Sequence, residues 1–369
     1  MAWVTGADIR IGEIDRQYLT SLSEIANEMG KWYPKISFSS SIQSHSVSIA
    51  STWSEQKYCL LYSGGVDSTS SLLRNRDKEL SLIMIRGTPE LRLHEGEYWE
   101  RVNGQLVPFI QRMGVEVHIV ETNIIDIINL NALNKEFGSQ LTVGWWENLA
   151  HGLILLSLCA PYTYTKEIGK LMIASTDTKE SFKPWGSTPS TDERIRWGDL
   201  KVVHDSFDLS RQQKIQTILA PFIREQGGSM PLRVCTGRPA VRLASNSLNC
   251  GKCEKCLRTM LGLLSSGVDP AECSFNTSSF SLSKLKADLE SGRLNLAHRV
   301  EVWKSITQNI SQRRHELDSQ YPGLKMFFTW LSSWNFRSRN RRNRRYLNAV
   351  APPDSRRRKV IRALLGRDK

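Results

Sequence analysis

From Lys57 onward, short dense apolar runs alternate with longer stretches in which apolar residues return every three or four positions. A short unbroken run suits a strand covered on both faces, whereas the longer period is that of a helix with one buried side. The pattern predicts strands at 58 to 62, Leu80–Arg86, Val115–Val120 and Leu171–Ala174. Between them it predicts helices from about Ser68 to Arg74, Glu97 to Met113 and Trp145 to Cys159. Such alternation implies an α/β fold, a parallel sheet with covering helices, whose ligands bind beyond the carboxyl ends of the strands. Those ends are Ser63, Arg86-Gly87, Thr122-Asn123 and Ser175-Thr176-Asp177. Ahead of Lys57 the reading is thinner: a helix around Arg16 to Met29, then a Ser-rich alternation from Ile36 to Ile49 that suits one or two strands.

The first strand runs into Ser63-Gly64-Gly65-Val66-Asp67-Ser68. Paired glycines let backbone N–H groups approach anionic oxygens, the two serines add donors, and the following helix presents its positive end to the same point. A triphosphate fits this turn. A Walker A loop carries a Lys after its last Gly, and Val66-Asp67 stands there instead, so the turn is not of the kinase or GTPase kind.

With this hexapeptide the chain resembles the PP-loop (N-type) ATP pyrophosphatases. The resemblance implies cleavage of ATP between its α and β phosphates, with AMP joined to a carboxylate, amide or carbonyl oxygen and pyrophosphate released. It places Ser63, Gly64, Gly65 and Ser68 on phosphate and Asp67 near Mg2+; Val66 in the same loop and Arg86 and Gly87 at the neighbouring strand end are further candidate nucleotide contacts. Further segments resemble the 7-cyano-7-deazaguanine synthase branch. They are Glu121-Thr122-Asn123, Trp146 with His151-Gly152, Ala174-Ser175-Thr176-Asp177, Trp185-Gly186-Ser187-Thr188-Pro189 with Asp192, and Val202-Val203-His204-Asp205 with Ser210-Arg211 and Lys214. Together they cover about residues 57 to 265. That branch implies a carboxylate or deazapurine substrate and a nitrogen nucleophile. The additions at both ends suggest a specialised relative, of the kind found in natural-product clusters and anti-phage defence, in which a protein or nucleic acid is what is modified.

Composition changes the picture in two places. The formal net charge is +13, but Asn335 to Lys369 holds about 13 Lys and Arg against two acids, which leaves a nearly neutral body and a polycationic tail. The tail follows an aromatic stripe, Met326-Phe327-Phe328, Trp330, Trp334 and Phe336, and the pair suits nucleic acid, an acidic protein or an anionic surface, or else a docking helix with a solvated end. No apolar run is long enough to span a membrane, and Met1-Ala2-Trp3-Val4 has no basic-then-apolar leader, so a cytoplasmic location is expected. Oligomeric state is not legible.

Four of the seven cysteines stand as Cys235 and Cys250-Gly251-Lys252-Cys253-Glu254-Lys255-Cys256. Cys-x2-Cys spacing turns two thiolates toward one ion and a distant Cys closes a tetrahedral shell, so a structural Zn2+ site is expected. The resemblance to the 7-cyano-7-deazaguanine synthase branch implies the same, since that branch carries a zinc site of this arrangement. Cys59 and Cys159 fall on apolar elements and read as core, and Cys273 is unplaced.

Five segments follow: an N-terminal extension 1–56, the ATP pyrophosphatase domain 57–225, a zinc-binding segment 226–270, a helical region 271–334 and the basic tail 335–369. Asp67, Ser68, Lys183, Arg211 and Lys214 are the candidate catalytic residues. Arg211 and Lys214 share a helix face able to reach phosphate or carboxylate, and equally able to be a capped surface helix. Lys179, Lys183 and Asp192 sit in a Gly-, Pro- and Ser-rich stretch long enough to cover a substrate. Trp185 and Trp197 suit base stacking or packing, and His151 suits a core position or a catalyst. The expected activity is ATP-dependent adenylation. The alternatives are a tRNA thiolase of the same superfamily, which needs a poised free cysteine, and a non-catalytic nucleotide-dependent module that holds nucleic acid.

Overall fold

The computed structural model describes residues 1–47, 53–235, 241, 247–294, 296, 299–308 and 310–336. The basic run from Arg337 to Lys369 therefore lies outside the described residues. The chain divides into two compact units, the first formed by Met1–Cys250 with Ala271–Phe275 and the second by Gly251–Pro270 with the chain from Asn276 onward.

The first unit holds a small parallel pair, β1 (Ile9–Asp15) with β2 (Ile42–Val47), and a larger sheet. That sheet has five strands, β3 (Ser54–Leu61), β4 (Glu79–Arg86), β5 (Glu116–Glu121), β6 (Ile168–Ala174) and β7 (Lys201–Asp205), in the order β5-β4-β3-β6-β7 and all parallel. The α/β expectation holds. β3 and β4 carry fully buried Cys59, Leu60, Leu82 and Ile83 in succession, which is the continuous apolar signature of strands covered on both faces. The chain leaves β3 toward β4 on one side and later returns to β3's other side as β6, so the order reverses at β3. A doubly wound sheet opens a crevice at such a reversal, beyond the carboxyl end of the central strand.

Two findings depart from the sequence pattern. β1 and β7 were not predicted: β1 is largely exposed, and β7 has only Val202-Val203 as an apolar core, so neither writes a strong period. The expected helix from Trp145 to Cys159 opens as a π-helical turn at Trp146–Ala150 before an α-helix at His151–Ser157. The N-terminal extension is also no appendage. Ile25, Met29, Tyr33 and Ile36, the first three on or next to the helix Arg16–Trp32, share one core with Cys59, Ile83, Trp145, Trp146 and Leu171.

The second unit is helical, with helices Glu254–Ser265, Leu282–Ser291, Val300–Ser305 and Leu324–Ser333. Its core gathers Leu261, Leu264, Leu285, Trp303, Phe327 and Leu331. Phe327, Phe328 and Phe336 of the aromatic stripe are buried here, so part of the stripe expected as a binding face is packing. Among the described residues no helix is long and apolar enough to cross a membrane.

Candidate functional site

The turn after β3 is built to keep donors near an open point. The backbone N–H of Tyr62 still bonds Ile83 O at 2.8 Å, after which the chain leaves the sheet. Gly64 takes φ +73°, and a Cβ there would lie 2.5 Å from Leu106 Cδ1, so side chain and backbone angle both demand glycine. Gly65 caps the helix Val66–Arg74, whose residues Val66 to Leu73 are all buried. The donors are held only loosely. Ser68 Oγ accepts from Ser63 N at 3.3 Å and meets Ser63 Oγ at 3.2 Å, and Gly65 N donates to Ser63 Oγ at 3.4 Å. Bonds of that length sit at the weak end of the range and are readily exchanged for an anionic acceptor.

Asp67, on the first turn of that helix, is the centre of a buried ion cluster. Arg211 Nη2 donates to its Oδ2, Lys214 Nζ reaches its Oδ1 at 3.4 Å, and Thr176 Oγ1 donates to Oδ2 at 3.4 Å. The side chains of Lys214 and Arg211 are 0% and 8% exposed. Lys214 Nζ also donates to Ser175 O at the end of β6. Ser210 does cap the helix Arg211–Lys214, with Gln213 closing the capping box, but the helix is not a surface one, because its two cations turn inward onto the loop. Arg211 Nη1 is buried with no hydrogen-bond partner among the described residues. Asp177, on the turn after β6, has its carboxyl pushed above the usual range, chiefly by burial and further by Asp67's charge, with Lys183, Arg211 and Lys214 opposing.

Of the predicted site residues, Ser63, Gly64, Gly65, Val66, Asp67, Ser68, Arg211 and Lys214 therefore converge. Lys183 stays exposed and acts on Asp177 charge to charge. Arg86 donates to Glu121 Oε1 at 2.8 Å and to Leu93 O at 2.6 Å, which ties the ends of β4 and β5 together. Gly87, at φ +102°, lets those ends meet, since a Cβ there would stand 1.6 Å from Thr122 O. Trp197 is core, its indole N–H bonded to Thr163 Oγ1 at 3.2 Å, and His204 is buried against Asp192, Nδ1 to Oδ2 at 3.0 Å. His151 packs edge-on to Trp146, ring centroids 5.9 Å apart.

Sequence reasoning missed Arg233. Its N–H donates to Gly64 O at 2.7 Å, its Nη1 to Ser63 O at 3.3 Å and its Nη2 to Glu90 O at 2.9 Å. No motif marks it, and only its place two residues before Cys235 hints at a site.

Cys235, Cys250, Cys253 and Cys256 bring their sulfurs within 4.8 Å of one another. Thiolates about 2.3 Å from a tetrahedral zinc stand roughly 3.8 Å apart, so this donor set fits Zn2+. Cys59 and Cys159 lie in the core, where burial pushes the Cys59 thiol up to about 12 and the Cys159 thiol well above its ordinary value.

No protein-family model matches the chain, and no curated protein matches it.

Proposed function

We propose that this protein is an ATP-dependent enzyme that adenylates a carboxylate or amide, releases pyrophosphate, and completes the reaction by attack of a nitrogen nucleophile. The observation that carries the reading is the meeting, at the reversal point of a doubly wound sheet, of a glycine-paired loop and helix N-terminus with two buried cations, one of them holding an unpartnered N–H. Such a point favours polyphosphate over any neutral ligand.

In this reading the β and γ phosphates take the N–H groups of Gly64 and Gly65 and the hydroxyls of Ser63 and Ser68. Arg211 and Lys214 swing part of their charge from Asp67 to the phosphates and stabilise the departing pyrophosphate. Mg2+ prefers hard oxygen ligands, and the Asp67 and Asp177 carboxylates, near enough to feel each other's charge, supply them. Bound there, the ion would neutralise charge building on the leaving group. The acceptor's identity rests on the resemblance alone, with a deazapurine carboxylate or a macromolecular carboxyl group the first to try and ammonia or an amine as nucleophile. The four clustered sulfurs and two desolvated core thiols count against a thiolase, which needs a poised free cysteine.

The test is product analysis. Incubated with ATP, Mg2+, candidate carboxylates and ammonia, the protein should form pyrophosphate on adenylation and AMP as ammonia displaces it, and Asp67→Ala should form neither. ADP and orthophosphate as the products would end the proposal.

A further inference from the structure

We propose that metal loading of the cysteine cluster and nucleotide binding at the Ser63–Ser68 loop are coupled through Arg233; this rests on the reading of that loop as a nucleotide site. Arg233 contacts the loop three ways. Its backbone N–H bonds Gly64 O at 2.7 Å, and its guanidinium holds Ser63 O after β3 and Glu90 O in the turn after β4, at 3.3 and 2.9 Å. One side chain thus sets the spacing of the turns that flank the crevice, and it also lies 5.9 Å from the ring of Tyr98, whose hydroxyl bonds Leu248 O at 2.8 Å.

The segment bearing Arg233 is itself held by the stretch that carries the sulfur ligands. Asn249, fully buried, accepts from Val234 N at 2.9 Å and donates to Leu232 O at 2.7 Å, so it brackets Arg233 on both sides. Leu232 N also bonds Cys273 O at 3.2 Å. Cys235 lies two residues after Arg233, and Cys250 directly follows Asn249. Two of the four sulfur donors therefore anchor the two strands of chain that Asn249 pins together. A metal that draws those sulfurs to one point fixes the bracket and with it the guanidinium. Without the metal that four-way constraint is lost, and the bracket can relax. Two sites that bias one element must affect each other equally, so nucleotide should tighten metal by the factor by which metal tightens nucleotide.

The experiment titrates Mg2+ and ATP calorimetrically into zinc-loaded and chelator-stripped protein, each as wild type and as Arg233→Ala. Stripping should weaken the wild type about tenfold, the scale of one lost charge-assisted hydrogen bond. Loaded Arg233→Ala should lose about as much while keeping its zinc, and stripping that variant should add little. Unchanged affinity in the stripped wild type, or two losses that multiply, would overturn the coupling. Hydrogen exchange at the Gly64 and Gly65 amides reads the same link without nucleotide: stripping should speed it in the wild type, and equal rates refute the proposal. Should loaded wild type take up no ATP, the nucleotide reading fails instead, while the exchange result still decides whether metal and loop communicate.

Discussion

Replacing Asp67 by Asn tests the charge logic of the site before any substrate is known. The change keeps shape and removes the carboxylate that neutralises Arg211 and Lys214. At 3.4 Å the attraction between Lys214 Nζ and Asp67 amounts to about 5 kcal/mol at an effective dielectric of about 20. All three side chains are at most 12% exposed, so solvent screens little of it. Breaking a buried pair from one side costs roughly 3–5 kcal/mol, because the stranded charge stays desolvated. Taking the lower figure, Asp67→Asn should melt about 6–12 °C below wild type. Pyrophosphate should then recover much of the loss, since it brings the missing negative charge to both cations and to Arg211 Nη1. It should raise the melting temperature of the variant more than that of wild type, where the anion must first draw the cations from Asp67. Thermal unfolding with and without pyrophosphate measures both effects. A variant as stable as wild type, or one indifferent to pyrophosphate, would refute the argument that these cations await phosphate.

Three further expectations are independent of it. Gly87→Ala forces a Cβ to within 1.6 Å of Thr122 O at φ +102°, so it should destabilise the first unit by roughly 2–4 kcal/mol in chemical denaturation; a loss below about 1 kcal/mol would mean the strand ends part easily. The Cys59 thiol is held protonated up to about 12 in the fold but ionises near 9 when unfolded, so the native state binds the extra proton between those values and stability falls as pH rises through them. Cys59→Ala should flatten the alkaline limb by about 1.4 kcal/mol per pH unit, and parallel slopes would show that the thiol is not desolvated. Ending the chain after Phe336, which keeps the packed aromatics, should leave the melting temperature unchanged and abolish salt-sensitive binding to RNA or anionic vesicles; undiminished binding would remove the tail's proposed role.

What the sequence disclosed followed from how locally each feature is encoded. The loop, its helix and the four strands β3, β4, β5 and β6 are each specified by contiguous residues, and they were legible. The four sulfurs were legible because ligand spacing survives in one dimension, although Cys235 lies 15 positions from Cys250. The Trp146–Ala150 turn was not, because a remote residue enters its ladder: Gly186 N donates to Glu147 O at 2.8 Å, and Gly152 N donates to Gly186 O at 2.7 Å. Arg211 and Lys214 fell between, since their shared face was visible but their partner Asp67 is 144 and 147 residues away. Arg233 works through a backbone N–H and two carbonyl acceptors, groups that every residue shares, and so leaves no mark in the sequence.

The same long-range pairing explains how one carboxylate can serve an empty and a filled site. Asp67 is bonded to both buried cations, Arg211 and Lys214, and the Asp177 carboxyl is pushed toward its neutral form by burial. On the proposed function, phosphate at the loop would draw the two cations away from Asp67, beside a second carboxylate. Two adjacent carboxylates released from their counter-ions form an unfavourable pair unless a divalent cation joins them. On that reading the anion and the metal ion would each be costly to seat alone and favourable together. On the proposed function, the site would then accept a polyphosphate already carrying its magnesium rather than either component in turn.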